Sequence, residues 1–427
     1  MTTSPLPAGP RAVAPAGSPC CAEYAGLSRR GLFRGLALAG ATTAIGSAVV
    51  TASPARAASA SSVLVVVSLR GAADGLSLVV PHGDPAYYRA RPRIAVPSES
   101  LLAKDAMFGL HPQLSPLLPL WTSGRLAAIQ ATGLPVANRS HFSAMEELED
   151  AAPGSTARVG WLNRLIGGDA DASPLEGLHV GLGVVPTSLY GGAPVFAVKD
   201  VDSVEIPGAD QYDTTGGRPR SLRTLWGGDT SPLGRGVRAT FDSVQGFAPV
   251  QRAVDRRGRY PSTDLGRALA DVARVVRGDV GVEVVTVDQG DWDMHTNLGT
   301  LEWGDMRRNA ADLAGSVAAF FDDLGPTGDK VTMVVLSEFG RRVVENSNQG
   351  LDHGYGNVML VAGAGVRGGR YYGRWPGLDT TLDADLLVTT DYRQVLGEVV
   401  ASRFADASVA RVFPGLSYDP VGFMRTA

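Results

Sequence analysis

Two short runs of mostly β-branched residues, Val282–Val287 (VEVVTV) and Val331–Leu336 (VTMVVL), constrain this chain more than any other feature. Each is bounded by turn residues and is too short for a helix. Near-continuous apolarity over such a length reads as a strand buried on both faces, as in a parallel sheet. Between them, Met306, Leu313, Val317, Phe320, Phe321 and Leu324 recur at helical spacing within Trp303–Leu324, and Gly325-Pro326 stops the helix. Strand–helix–strand predicts an α/β fold: a mostly parallel central sheet with helices on both faces. Open sheets of this kind carry their sites at the carboxyl ends of the strands. Here the first strand runs into Asp291, Asp293 and His295, and the second into Glu338, then Asp352 and His353.

The same pattern recurs along the chain. Ser62–Leu69 (SVLVVVSL) predicts the first strand, which ends in Arg70-Gly71-Ala72-Ala73-Asp74-Gly75. Asp74 reads equally as a carboxylate aimed into a cleft or as half of an ordinary Asp-Gly turn. Leu126–Gln130 is a further strand candidate and leads to Asn138-Arg139-Ser140-His141-Phe142. The helical segment from Ser143 places Ser140 and His141 at a helix start. Backbone N–H groups favour an anion there, although the local sequence favours Ser140 as a simple N-cap. Helices are expected at Arg158–Ile166, Leu265–Arg277 and Thr390–Phe404, and a strand at Asn357–Ala362. Residues 167–258 are rich in Gly, Pro and Ser, with strand-like runs at His179–Leu182 and Pro194–Val198. They read as a loop-rich insertion or cap, with Gly208–Gly236 a mobile loop. Gly363-Ala364-Gly365-Val366-Arg367-Gly368 matches a dinucleotide fingerprint in letters only, because the following Gly-Arg-Tyr-Tyr-Gly-Arg-Trp-Pro cannot open a helix.

The N-terminus reads as an address. Ser28-Arg29-Arg30-Gly31-Leu32-Phe33 carries a twin arginine, a weakly apolar stretch Leu36–Val50 follows, and Ala55-Arg56-Ala57 fits a small-residue cleavage site. The expected organisation is a twin-arginine signal over residues 1–57 and a single domain over 58–427. Export to the periplasm, cell wall or exterior follows, with membrane contact only through the signal. Both cysteines, Cys20 and Cys21, precede the cleavage point, so a mature chain has neither disulfides nor thiolate ligands. The net charge of -4, with no basic block beyond the N-terminus, gives no footprint for nucleic acid.

The acid–histidine spacings carry the chemistry. Asp293 and His295 (D-x-H) and the adjacent Asp352-His353 offer oxygen and nitrogen donors on two loops. Carboxylates with imidazoles suit zinc, manganese or iron, and all-oxygen sets suit calcium or magnesium. Either pair alone is more often a loop histidine beside an aspartate. Two pairs at successive strand ends, with Asp74 at a third, favour one shared site.

The segments SLRGAADGLSLVVP, LHPQLSPL, NRSHFSAME, DWDMHTN, LSEFGRR and DHGYGNVMLVAGAGVRGG together resemble the exported family known as the domain of unknown function 1501. That family is grouped with the alkaline phosphatase and sulfatase superfamily. The resemblance implies an alkaline phosphatase-like fold and Asp74, Asp293, His295, Glu338 and His353 as candidate metal ligands, and Asp352, adjacent to His353, is a further candidate. Ser140 stands at the nucleophile position, His141 as acid/base, and Arg139, Arg341 or Arg342 as clamps on an anionic group. The superfamily's Asp-His pair is Glu338-Phe339 here, which removes one histidine. The implied cofactor is therefore one or two divalent ions (zinc, manganese or calcium), and the implied substrate a small anionic ester of phosphate or sulfate. The alternatives are a non-catalytic exported binding or assembly protein on the same fold, and a glycoside hydrolase with two carboxylates.

Overall fold

The computed structural model describes residues 42–45, 48–51, 59–167, 173–206 and 213–426, all within one compact unit, 39–427. The twin arginine, the Ala55-Arg56-Ala57 motif and both cysteines lie outside the described residues. Nine strands make the central sheet: β1 (Val63–Leu69), β2 (Leu126–Gly133), β3 (Gly177–Val180), β4 (Phe196–Val198), β5 (Val284–Gln289), β6 (Val331–Leu336), β7 (Asn357–Gly363), β8 (Arg370–Tyr372) and β9 (Thr390–Asp391). Their order is β4-β3-β5-β1-β6-β7-β2-β8, with β9 also pairing to β2. Residues 42–45 and 48–51, from the apolar stretch of the expected signal, form two short strands, and the second pairs antiparallel with β4.

The sheet is mixed but mostly parallel. β1 pairs parallel with both β5 and β6, with Val63 opposite Val331 and Leu64 opposite Val284. Of the nine, β7 reverses, running antiparallel to both β6 and β2. Its start therefore lies at the same edge as the carboxyl ends of its neighbours.

The strand sequences divide cleanly between two faces, as period-2 side-chain alternation requires. Val63, Val65, Val67, Met333 and Val335 join one apolar core. Leu64, Val66, Val334 and Leu336 join the other. Helices α3 (Asp264–Gly278) and α4 (Asp305–Leu324) cover the first face. Helices α1 (His141–Asp150), α2 (Trp161–Ile166) and α5 (Tyr392–Arg403) cover the second. α3 shows why such a segment is helical: Thr263 caps it by accepting from the Gly266 N–H, and Leu265, Leu269, Val272 and Val276 form its buried stripe. Each such side chain contributes about 1.5–3 kcal/mol on burial. No described helix is long and apolar enough to cross a membrane.

The middle of the chain differs from the expected insertion. β3 and β4 belong to the central sheet, with Leu178 paired to Val285 and to Phe196. The strand-like runs His179–Leu182 and Pro194–Val198 overlap these two strands, but their brevity does not tell a sheet strand from part of an insertion. The expected mobile loop, 208–236, contains the helix Gly217–Gly227 and the start of a second, Pro232–Gly246. The first buries no residue, so no apolar stripe marked it. The second is opened by Ser231, whose hydroxyl accepts from the Gly234 N–H, and by Pro232 at its first position. The Gly363–Gly368 segment joins β7 to β8, not to a helix.

Candidate metal centre

Four segments meet at the carboxyl edge of β1, β5, β6 and β2. After β5 the loop alternates: Trp292 and Met294 are buried, which turns Asp293 and His295 outward. After β6, Ser337 and Glu338 are buried, and the chain makes an excursion that returns through His353 to the reversed strand β7. Arg341 and His353 pair as an isolated antiparallel bridge. His141 stands in the first turn of α1, beyond β2. Two glycines permit the close approach. A Cβ on Gly340 would lie 1.9 Å from the Gly356 carbonyl oxygen, and one on Gly350 would lie 2.1 Å from that of His295.

Three imidazoles and one carboxylate converge. His353 Nε2 lies 2.9 Å from His141 Nε2 and 2.9 Å from His295 Nε2. Asp293 Oδ1 lies 3.2 Å from His295 Nε2, 3.6 Å from His141 Nε2 and 3.8 Å from His353 Nε2. Donor atoms on a tetrahedral ion with bonds of about 2.0–2.1 Å stand about 3.3–3.4 Å apart. His141, Asp293 and His353 each offer one ligand atom, and these lie within 4.8 Å of one another.

The outer ring nitrogens fix the protonation pattern. His141 Nδ1 faces Glu338 Oε1 at 2.8 Å, His295 Nδ1 faces Asp352 Oδ1 at 3.2 Å, and His353 Nδ1 faces the Arg139 carbonyl at 2.8 Å. All three partners are acceptors, so each Nδ1 donates its proton outward. The Nε2 lone pairs are then left pointing at one another and at Asp293. Imidazoles held through the far nitrogen by carboxylates and carbonyls are the usual outer support of a metal site. Arg341 already donates to Asp293 Oδ1 at 2.7 Å, and a proton or a metal ion among the imidazole nitrogens would relieve their remaining lone pairs.

The electrostatics follow. Burial disfavours a proton on His141, but Asp293 and Glu338 outweigh it and hold its pKa up at about 9. Burial alone would raise Asp293, yet the imidazoles of His141, His295 and His353, when they carry a second proton, and the Arg341 guanidinium at 2.7 Å hold it far below the usual carboxylate range. Glu338 is also held down: burial opposes this, and His141 with backbone N–H groups including Gly71 overcomes it.

Several expected residues take up other places. Glu338 stands behind His141 rather than among the converging atoms. Its Oε1 accepts from His141 and from the Gly71 N–H, and its Oε2 from the Ser337 hydroxyl at 2.9 Å. Asp352 supports His295 and takes a bond from Asn346. Asp74 is buried in an ion pair, with both oxygens taken by Arg91 at 2.5 and 3.0 Å. Arg341 is fully buried and bonds the carbonyls of Ala72, Gly71, Trp292 and Leu351, with one N–H on Asp293 Oδ1 at 2.7 Å. It positions the Asp293 loop, and no face is left for an external anion. Arg139 and Arg342 both pair with Asp385. Ser140 is the N-cap residue of α1 by position, but its side chain makes no capping bond. Asp291 is exposed, in a left-handed backbone conformation.

Sequence reasoning did not place His141 among the donors. Phe339, which replaces an expected histidine, is a buried floor: its ring centroid lies 4.9 Å from that of His141 and 5.2 Å from that of His353.

The family described as "Protein of unknown function (DUF1501)" matches residues 262–395. That segment contains Asp293, His295, Glu338, Asp352 and His353 and begins well after His141. No curated protein matches the chain.

Proposed function

We propose that this chain is an exported metal-dependent hydrolase of small phosphate or sulfate esters. It is built on an alkaline phosphatase-like fold, around a single divalent ion held by His141, Asp293, His295 and His353. The observation that carries this reading is the convergence of three Nε2 lone pairs on Asp293, with every Nδ1 proton directed outward. A donor set of three imidazoles and a carboxylate favours zinc, with manganese next, over calcium. A count of one fits the carboxylates: Asp74 is neutralised by Arg91, and both oxygens of Glu338 have partners.

A bound divalent ion supplies a Lewis acid that polarises an ester oxygen or lowers the pKa of a bound water. The chain's own residues do the remainder. Ser140, next to His141 and free of a capping bond, presents the nucleophilic hydroxyl. Arg341 holds Asp293 from behind. Arg139 and Arg342 supply positive charge for the anionic group. The twin arginine and the Ala55-Arg56-Ala57 motif support export before cleavage.

A second reading, an exported metal-binding protein without turnover, is favoured by one feature. If His295 joins His141, Asp293 and His353 around the ion, four protein donors would fill a tetrahedral shell, as structural sites do.

Elemental analysis of mature protein beside His295→Ala and His353→Ala tests the proposal. One ion per chain is expected, lost in both variants, together with hydrolysis of aryl phosphate or aryl sulfate. Absence of metal from every preparation, with both variants folding normally, sinks it. Bound metal without turnover across the ester panel selects the second reading.

A further inference from the structure

We infer that Arg139 and Arg342 form an anion subsite beside the metal centre, and that Asp385 fills it as a built-in counter-anion which a ligand's phosphate or sulfate group displaces. Asp385 Oδ2 accepts from Arg139 Nη2, and Oδ1 accepts from Arg342 Nη1 at 3.2 Å. One carboxylate bridges two guanidiniums with one oxygen to each. Two oxygens of a tetrahedral oxyanion can make the same bridge. Two cations face one anion, so the group keeps a net positive charge, and each guanidinium has five N–H donors. Arg139 is 42% exposed and Asp385 only 11%, so the subsite opens to solvent on the Arg139 side.

Both arginines ride on the backbone that orients the histidines. The Arg139 carbonyl accepts from His353 Nδ1, and the Arg342 N–H donates to the Asp352 carbonyl at 2.9 Å. Asp385 is placed by its own backbone. The Ala384 carbonyl accepts from the Val343 N–H at 3.0 Å, and the Leu386 carbonyl from the Gly356 N–H at 2.9 Å. Neutralising Asp385 therefore leaves the strap anchored on both sides while it frees the guanidiniums. The ligand class is a compound with two or more anionic oxygens on one centre. This deepens the ester reading but rests on it only for the metal-side contact, because the arginine pair binds an oxyanion without the ion.

Calorimetric titration with inorganic phosphate, and separately with sulfate, tests the inference on wild type, Asp385→Asn and Asp385→Asn/Arg342→Gln. Each protein is titrated metal-loaded and after chelation, with metal content and thermal melts recorded. Asp385→Asn is expected to bind at least one of the two anions at least tenfold more tightly than wild type, with or without metal, and the double variant to lose the gain. Asp385→Ser serves as a second neutral variant should the first unfold. A folded neutral variant that binds neither anion more tightly, or a gain that survives Arg342→Gln, overturns it. Absence of metal alongside an intact gain overturns the metal reading alone.

Discussion

Asp74, after β1, and Asp293, after the adjacent β5, are both acids set into the carboxyl edge of one sheet. Asp74 is 1% exposed, and Arg91, itself fully buried, closes around both its oxygens. The charge is balanced within the chain, and the pair is also tied to Ser77 and to the Val343 carbonyl. Asp293 is 30% exposed and faces three imidazoles whose lone pairs point inward. One residue of Arg341 charge backs it, but the converging nitrogens still call for a cation from outside. A buried anion needs a counter-charge in either case. Where the chain supplies a guanidinium the result is a structural rivet, and where it supplies imidazoles the result is the candidate receptor proposed above.

The contrast can be broken most forcefully at Arg91. Arg91→Met leaves Asp74 buried without a partner, and a loss of about 3–5 kcal/mol is expected. Denaturant melts measure it, and the folded fraction should retain its metal. Loss of metal from folded Arg91→Met protein would mean that the two centres are not independent.

Acid sharpens the same comparison. His111 is 1% exposed, and burial pushes its pKa down to about 4 despite the nearby charge of Asp74. A depressed folded-state pKa gives stability that is present above the unfolded value of about 6.5 and is lost as pH falls towards about 4. The size is about 3 kcal/mol. Thermal melts of wild type and His111→Gln across this window should differ in slope, the variant being the flatter. Equal slopes would remove His111 as the source.

The smallest effect belongs to the support of the receptor. Glu338→Gln keeps the shape but weakens the hold on His141 Nδ1, and metal affinity should fall about 10- to 100-fold with the fold intact. A chelator competition titration reads it, and unchanged affinity would place Glu338 outside the centre's support.

The strands β1, β5 and β6 and the helices α3, α4 and α5 were legible because β-branched runs and helical periodicity act locally. Asp293, His295 and His353 were legible because they sit within a few residues of strand ends. The role of His141 was not. It follows β2, and nothing local states that β2 lies beside the reversed β7, whose start delivers His353 to the same edge. The placement of Glu338 behind a histidine instead of among the donors was equally hidden, because it depends on the Gly71 N–H and Ser337 claiming its oxygens. β3 and β4 showed only as short strand-like runs that nothing local assigned to the central sheet, and the helix Gly217–Gly227 was masked by its lack of a buried stripe.

The donors are distant in the chain. His141 is separated by 197 residues from Glu338 and by 212 from His353. Contacts of such long range carry a high loop-closure cost and form late in folding. No nascent fragment ending before His353 can assemble the donor set, so capture of the proposed ion would report that the chain has been synthesised past His353 and has closed. Retention of the proposed ion would then be a checkpoint for that closure, readable on the ribosome-released chain.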